Sequence, residues 1–81
     1  SQLQPRNWAF LADLARAFFA LRQFTHAGSA FQAAAKLKRD NPELEIGAAN
    51  CLAQLGKLAE AESAFRKIAR RFPTAASAWF N

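Results

Sequence analysis

The stretches "AGSAFQAAA" (Ala27–Ala35) and "AESAFRKIA" (Ala61–Ala69) fall on each other when the chain is slid against itself by 34 positions. Five of the nine residues are identical: Ala27/Ala61, Ser29/Ser63, Ala30/Ala64, Phe31/Phe65 and Ala35/Ala69. Alanine richness raises the number of chance matches, but a phenylalanine preceded by Ser-Ala in both copies is not a compositional accident. Ala15/Ala49 and Leu21/Leu55 also coincide, and Phe18/Leu52 and Phe24/Leu58 are conservative pairs. A fixed period in this range means stacked supersecondary units.

Each unit reads as two helices. The first helix runs from Trp8 to about Leu21, with Leu11, Leu14, Ala15 and Phe18 at the spacing of one helical face. After a break at Arg22-Gln23, a second stripe passes through Phe24, Ala27, Ala30/Phe31, Ala34 and Leu37. At "RDNPE", Asn41 is placed to cap the next helix and Pro42 to open it, where no amide hydrogen is needed. The third helix carries Leu44, Ala48, Cys51/Leu52 and Leu55 before a C-terminal Gly56. The fourth uses Leu58, Ala61, Ala64/Phe65 and Ile68 and stops at Pro73. The expected fold is all-α, two antiparallel hairpins.

Composition agrees. Twenty of the 81 residues are alanine, the best helix former, while Val and Tyr are absent and Ile occurs only at Ile46 and Ile68. A chain of this length is one domain with a small core, burying roughly 60% of the surface its unfolded form exposes. One cysteine forms no internal disulfide, and one His with one Cys builds no zinc site, so no metal or cofactor is expected. No apolar run reaches the ~20 residues of a membrane span, and no signal peptide opens the chain. The sequence has no methionine even at position 1, which fits a processed chain or a piece of a longer one. The compartment is not legible, with the cytoplasm as the guess.

The pattern resembles the tetratricopeptide repeat, whose signature reads W-x2-L-G-x2-Y, then A-x3-F, then P within a unit of the same period. The first unit supplies Leu11-x2-Leu14-Ala15-x2-Phe18 and Ala27-x3-Phe31. The second supplies Glu45-x2-Ala48-Ala49-x2-Leu52, then Ala61-x3-Phe65 and Pro73. Two departures stand out: Glu45 sits where the signature has a large apolar residue, and Gly47 weakens the third helix. The resemblance implies a right-handed α-solenoid of helix hairpins, with repeat one at about 8–41 and repeat two at about 42–75. Residues 76–81 would begin a third repeat, since Trp79 stands one full period after Glu45, at the W position.

The resemblance also implies a concave groove, lined by the first helices of successive repeats, that binds a peptide or protein segment. If Leu11, Leu14, Ala15 and Phe18 face the core, the neighbouring stripe is Ala12, Arg16 and Phe19, matched on the third helix by Ile46, Asn50, Ala53 and Gln54. Arg16 and Asn50 could hold a carboxylate or a peptide backbone. Phe19 reads either as a ligand anchor or, more simply, as core.

Two other functions compete. With about two repeats where three are usually needed, the chain could be an assembly segment that self-associates through Trp79 and Phe80. The net charge of +5, with clusters Lys36/Lys38/Arg39 and Arg66/Lys67/Arg70/Arg71, raises nucleic acid or an anionic surface as a partner. Both clusters, however, end second helices, where cations complement the helix dipole, and no aromatics alternate with them as a stacking platform requires. Catalysis finds no support. The sequence has no Gly-rich phosphate loop and no nucleophile elbow; His26 stands alone, Cys51 lies on an apolar stripe, and Asp13, Glu43 and Glu45 form no evident acid/base pair.

Overall fold

The computed structural model describes residues 7–73. They form four helices: α1 (Trp8–Ala20), α2 (Phe24–Leu37), α3 (Pro42–Gln54) and α4 (Leu58–Arg71). Both ends of α3 lie one sequence period beyond those of α1, and α4 stands in the same relation to α2. The sequence period is therefore a structural period. Each helix packs chiefly on the next one along the chain, α1 on α2, α2 on α3 and α3 on α4.

The turns inside the two hairpins are built alike. The Arg22 N–H donates to the Phe19 carbonyl and the Gln23 N–H to the Phe18 carbonyl, both at 2.9 Å. One period on, the Gly56 N–H donates to Ala53 at 3.0 Å and the Lys57 N–H to Leu52 at 2.9 Å. This pair of bonds is the Schellman closure, and it needs a left-handed residue just past the helix end. Arg22 takes φ 62° and Gly56 φ 82°. Glycine adopts that backbone without penalty, whereas a residue with a Cβ gives up roughly 1–2 kcal/mol. Arg22→Gly should therefore raise stability by up to about 1 kcal/mol after glycine's extra freedom in the unfolded chain is allowed for, and Gly56→Ala should lower it by about 1 kcal/mol. Thermal melts of the two variants read both signs, and a lower midpoint for Arg22→Gly would contradict the strain argument.

Between the hairpins, Asn41 Oδ1 accepts the Glu43 N–H at 3.0 Å, and Pro42 follows as the first helical residue. Glu45 finds a partner far along the chain. Arg71 Nη1 donates to Glu45 Oε2 at 2.6 Å, and Arg71 Nη2 donates to the Arg39 carbonyl at 2.9 Å. One guanidinium thus ties the end of α4 to the start of α3 and to the preceding loop. The acidic residue at a position the repeat signature gives to a large apolar one is used in this tie. Its neighbour Leu44, 1% exposed, supplies the apolar contact instead.

The core is narrow because it is built from methyl groups. Ala15, Ala27, Ala34 and Ala49 are completely buried, and Ala61 nearly so. Small side chains at these positions let the helix axes come close. Two of the repeat identities, Ala15/Ala49 and Ala27/Ala61, thus fall on completely or almost completely buried positions. Among the described residues the one buried aromatic ring is Phe31, which lies against Gly47 so closely that an added Cβ there would stand 2.6 Å from ring carbons. The glycine that weakens α3 by propensity is the one that admits the ring.

One expectation about packing is corrected. Of the Leu11/Leu14/Ala15/Phe18 stripe, Ala15 is buried and Leu11 and Phe18 pack against the core, but Leu14 is exposed, and Ala12, Trp8 and Phe19 belong to the core face as well. The cause is positional. Leu14 stands where α3 has Ala48, which is buried, and the exposed Phe10 stands where α3 has the buried Leu44. The face of α3 that rests on the first hairpin corresponds, on α1, to a face with no preceding hairpin among the described residues.

Candidate functional site

Helices α1 and α3 present a shared face. Arg16 projects from the middle of α1, one turn before Phe19, and Asn50 lies half-buried on α3. With Phe31 and Gly47 these side chains line a cleft of about 200 Å³. Gly47 has no side chain to cover the Phe31 ring, so the ring edge belongs to the core and to the cleft wall at once. A second depression of about 280 Å³ adjoins it, lined by Phe19, Ala20, Arg22, Phe24 and Gln54. Phe19 stands between the two, held edge-on to Phe24 with ring centroids 5.0 Å apart.

Four residues expected on the groove, Arg16, Phe19, Asn50 and Gln54, therefore line this continuous face. The others are placed elsewhere: Ala12 is 2% exposed inside the core, and Ile46 is half-buried outside both depressions. Ala53 borders a separate cleft at the α3–α4 end of the molecule. Trp79 and Phe80 lie outside the described residues. Phe31, Gly47, Phe24 and Arg22 were not on the expected stripe. Gly47 had carried a signal, since a glycine mid-helix at a propensity cost of about 1 kcal/mol is usually retained for a close approach.

The chemistry available on this face is polar and aromatic together. Asn50 offers an amide that can both donate and accept, which suits an extended backbone. Arg16 is a cation already engaged with Asp13, Nη1 to Oδ1 at 3.0 Å, both side chains being well exposed. An exposed pair of this kind is worth little, so Arg16 can exchange Asp13 for an incoming carboxylate at small cost. Phe19 and the edge of Phe31 add apolar contact area.

Two further clefts have a different character. The one at the α3–α4 end, about 490 Å³, is walled almost wholly by carbon from Ala53, Leu58, Ala61, Phe65 and Ala69. Another of about 280 Å³ lies over α3 between α2 and α4, with Ala35, Ala48, Leu52 and Ala64 in its walls and Lys36 and Lys67 beside them. The second basic cluster is partly neutralised, because Arg66 pairs with Glu62 at 2.8 Å and Arg71 with Glu45 at 2.6 Å. Among the described residues no group of three or more His, Cys, Asp or Glu could hold a metal ion, and no helix is long and apolar enough to cross a membrane. Cys51 is buried, and burial pushes its thiol up, away from the reactive thiolate. His26 is exposed and lies against Phe18, ring centroids 5.2 Å apart.

Neither the comparison with curated proteins nor that with solved structures finds a match. A family model described as tetratricopeptide repeat matches residues 18–80, from the end of α1 through all of α2, α3 and α4. The match takes in both copies of the repeated stretch and the turns that close alike, so the all-helical repeat seen here has a family: the chain belongs to the tetratricopeptide repeat family.

Proposed function

We propose that the chain binds a segment of a partner protein across the α1–α3 face, with Phe19, Asn50, Arg16 and Gln54 as contacts. Tetratricopeptide repeats generally mediate protein–protein interaction and form a non-catalytic module, which supports a protein partner. The observation that carries the reading is the pairing of an amide and a guanidinium with two aromatic walls in one cleft. An extended peptide can be held there by its backbone at Asn50 and by side chains against Phe19 and Phe31. An acidic residue of the peptide takes the place of Asp13 on Arg16.

The rival partner, nucleic acid, is disfavoured by the carboxylates already on Arg66 and Arg71 and by the apolar walls between the basic clusters. The test is selection of binding peptides from a display library, followed by titration of the best one against variants. Asn50→Ala, Phe19→Ala and Arg16→Ala should each weaken binding by roughly tenfold or more, equivalent to about 1.4 kcal/mol. Lys67→Ala, on the opposite side, should leave it unchanged. Equal affinity across the three groove variants would remove this face as the site.

A further inference from the structure

The cleft that lies over α3, between α2 and α4, joins an apolar lining to cations without partners. Of its lining residues Ala48, Ala49 and Ile68 are buried, and Ala35, Leu52 and Ala64 are half-buried. Its volume is about 280 Å³. An enclosed apolar space of about 150 Å³ takes a benzene, so a leucine or phenylalanine side chain has room here. Lys36 on α2 and Lys67 on α4 are exposed and stand on the two flanking helices.

The charges set these two lysines apart. Lys38, Arg66 and Arg71 each hold a carboxylate, whereas Lys36 and Lys67 hold none among the described residues. The one carboxylate that lines the cleft, Glu45, is committed to Arg71 at 2.6 Å. The helix dipole accounts for Lys36, in the last turn of α2. It accounts less well for Lys67, which precedes the last-turn pair Arg70 and Arg71. The repeat does not call for Lys67 either, since Ala33 stands one period before it. The cleft is thus apolar inside and carries positive charge on both flanks.

We propose that this cleft binds an acidic segment of a partner protein, which inserts a leucine or phenylalanine side chain between α2 and α4. Carboxylates on either side of that residue pair with Lys36 and Lys67. Nucleic acid suits the cleft poorly, because no aromatic ring among its lining residues offers a base a stacking surface. A bilayer suits it poorly as well: the apolar residues are buried or half-buried and do not project to enter one.

This site is separate from the α1–α3 face and does not rest on that reading. The probe is a hexapeptide blocked at both ends, Leu-Phe with two glutamates on each side, titrated into the isotope-labelled full chain at low salt. NMR should show saturable shifts of the Ala35, Leu52 and Ala64 methyls, with Phe19 and Asn50 unmoved. The double variant Lys36→Glu/Lys67→Glu should weaken binding by about tenfold and prefer a peptide with lysines in place of the glutamates. Replacing Leu-Phe by Ala-Ala in the peptide should weaken binding several-fold. Decanoate and a single-stranded oligonucleotide are run in parallel. Equal binding of the lysine peptide to the unaltered chain, or undiminished affinity in the double variant, would overturn the proposal. Methyl shifts given by decanoate or the oligonucleotide but not by the peptide would overturn it too. Peptide shifts confined to Phe19 and Asn50 would remove this cleft and leave the α1–α3 reading standing.

Discussion

Phe31→Ala is expected to cost about 3–5 kcal/mol of folding stability, the usual range for deleting a buried aromatic. The ring is 7% exposed and sits where α2 meets α3. Its neighbours Ala27, Ala30 and Ala34 are alanines with no side-chain length to lean into the space it leaves. Relaxation would have to come from the helices themselves, and those are set by the methyl contacts around them. A domain of 81 residues has roughly 4–12 kcal/mol of stability in all, so the loss takes from about a quarter to all of it. Urea unfolding of the variant should show a much lower midpoint, or no cooperative transition. An unchanged midpoint would mean that Phe31 is not the keystone between the hairpins.

The second large effect runs against helix propensity. Gly47→Ala should lower stability by about 1–2 kcal/mol although alanine is the better helix former by about 1 kcal/mol. The new Cβ would stand 2.6, 2.6 and 2.8 Å from three carbons of one ring. Real side chains do not come that close, so the ring or the helix has to move. Phe31 cannot swing away without leaving its pocket among the alanines, which means that α2 and α3 part instead. The same change made beside Phe31→Leu should be neutral or stabilising, because the collision is gone and the propensity gain remains. A double-mutant cycle by chemical denaturation therefore yields a large coupling between positions 31 and 47. Additive effects would show that the close approach carries no strain.

The parts of the fold legible in the sequence were those written in local chemistry or in the period itself. Asn41-Pro42 marks the start of α3, Gly56 its end, and the repeat offset predicts one hairpin from the other. Arg22 shows where that ends: it has the left-handed backbone of Gly56, but its side chain does not announce it. The place of Leu14 on α1 was illegible for a related reason. A stripe of apolar residues marks every buried face a repeat can have, including the one that needs a preceding neighbour. Leu14 belongs to that face, so counting it toward the core set the buried Ala12 on the groove instead. Contacts distant in sequence, Glu45 with Arg71 or Gly47 with Phe31, left only an anomaly at one partner. At the candidate site, Arg16 and Asn50 were legible because they stand one period apart and Phe19 because it lies one turn from Arg16, whereas the Phe31 edge entered only through the absence of a side chain at 47.

Packing that passes from each helix only to the next makes the molecule a short line of coupled units. In such a line the ends and the middle differ in how they open. Among the described residues α1 packs chiefly on one neighbour, whereas α2 and α3 are each packed on both sides, so opening that begins at α1 would leave α2 and α3 folded. Arg71 alters this at the other end, because it bonds back to Glu45 and Arg39 as well as continuing α4. Of the described helices, α4 thus carries a side-chain latch back onto an earlier part of the fold. Since α1 carries Arg16 and Phe19, opening that begins at α1 would dismantle the candidate site before the rest of the molecule unfolds. A ligand that bridges α1 and α3 would be in equilibrium with that fraying, and would stabilise most the helix that is otherwise first to leave.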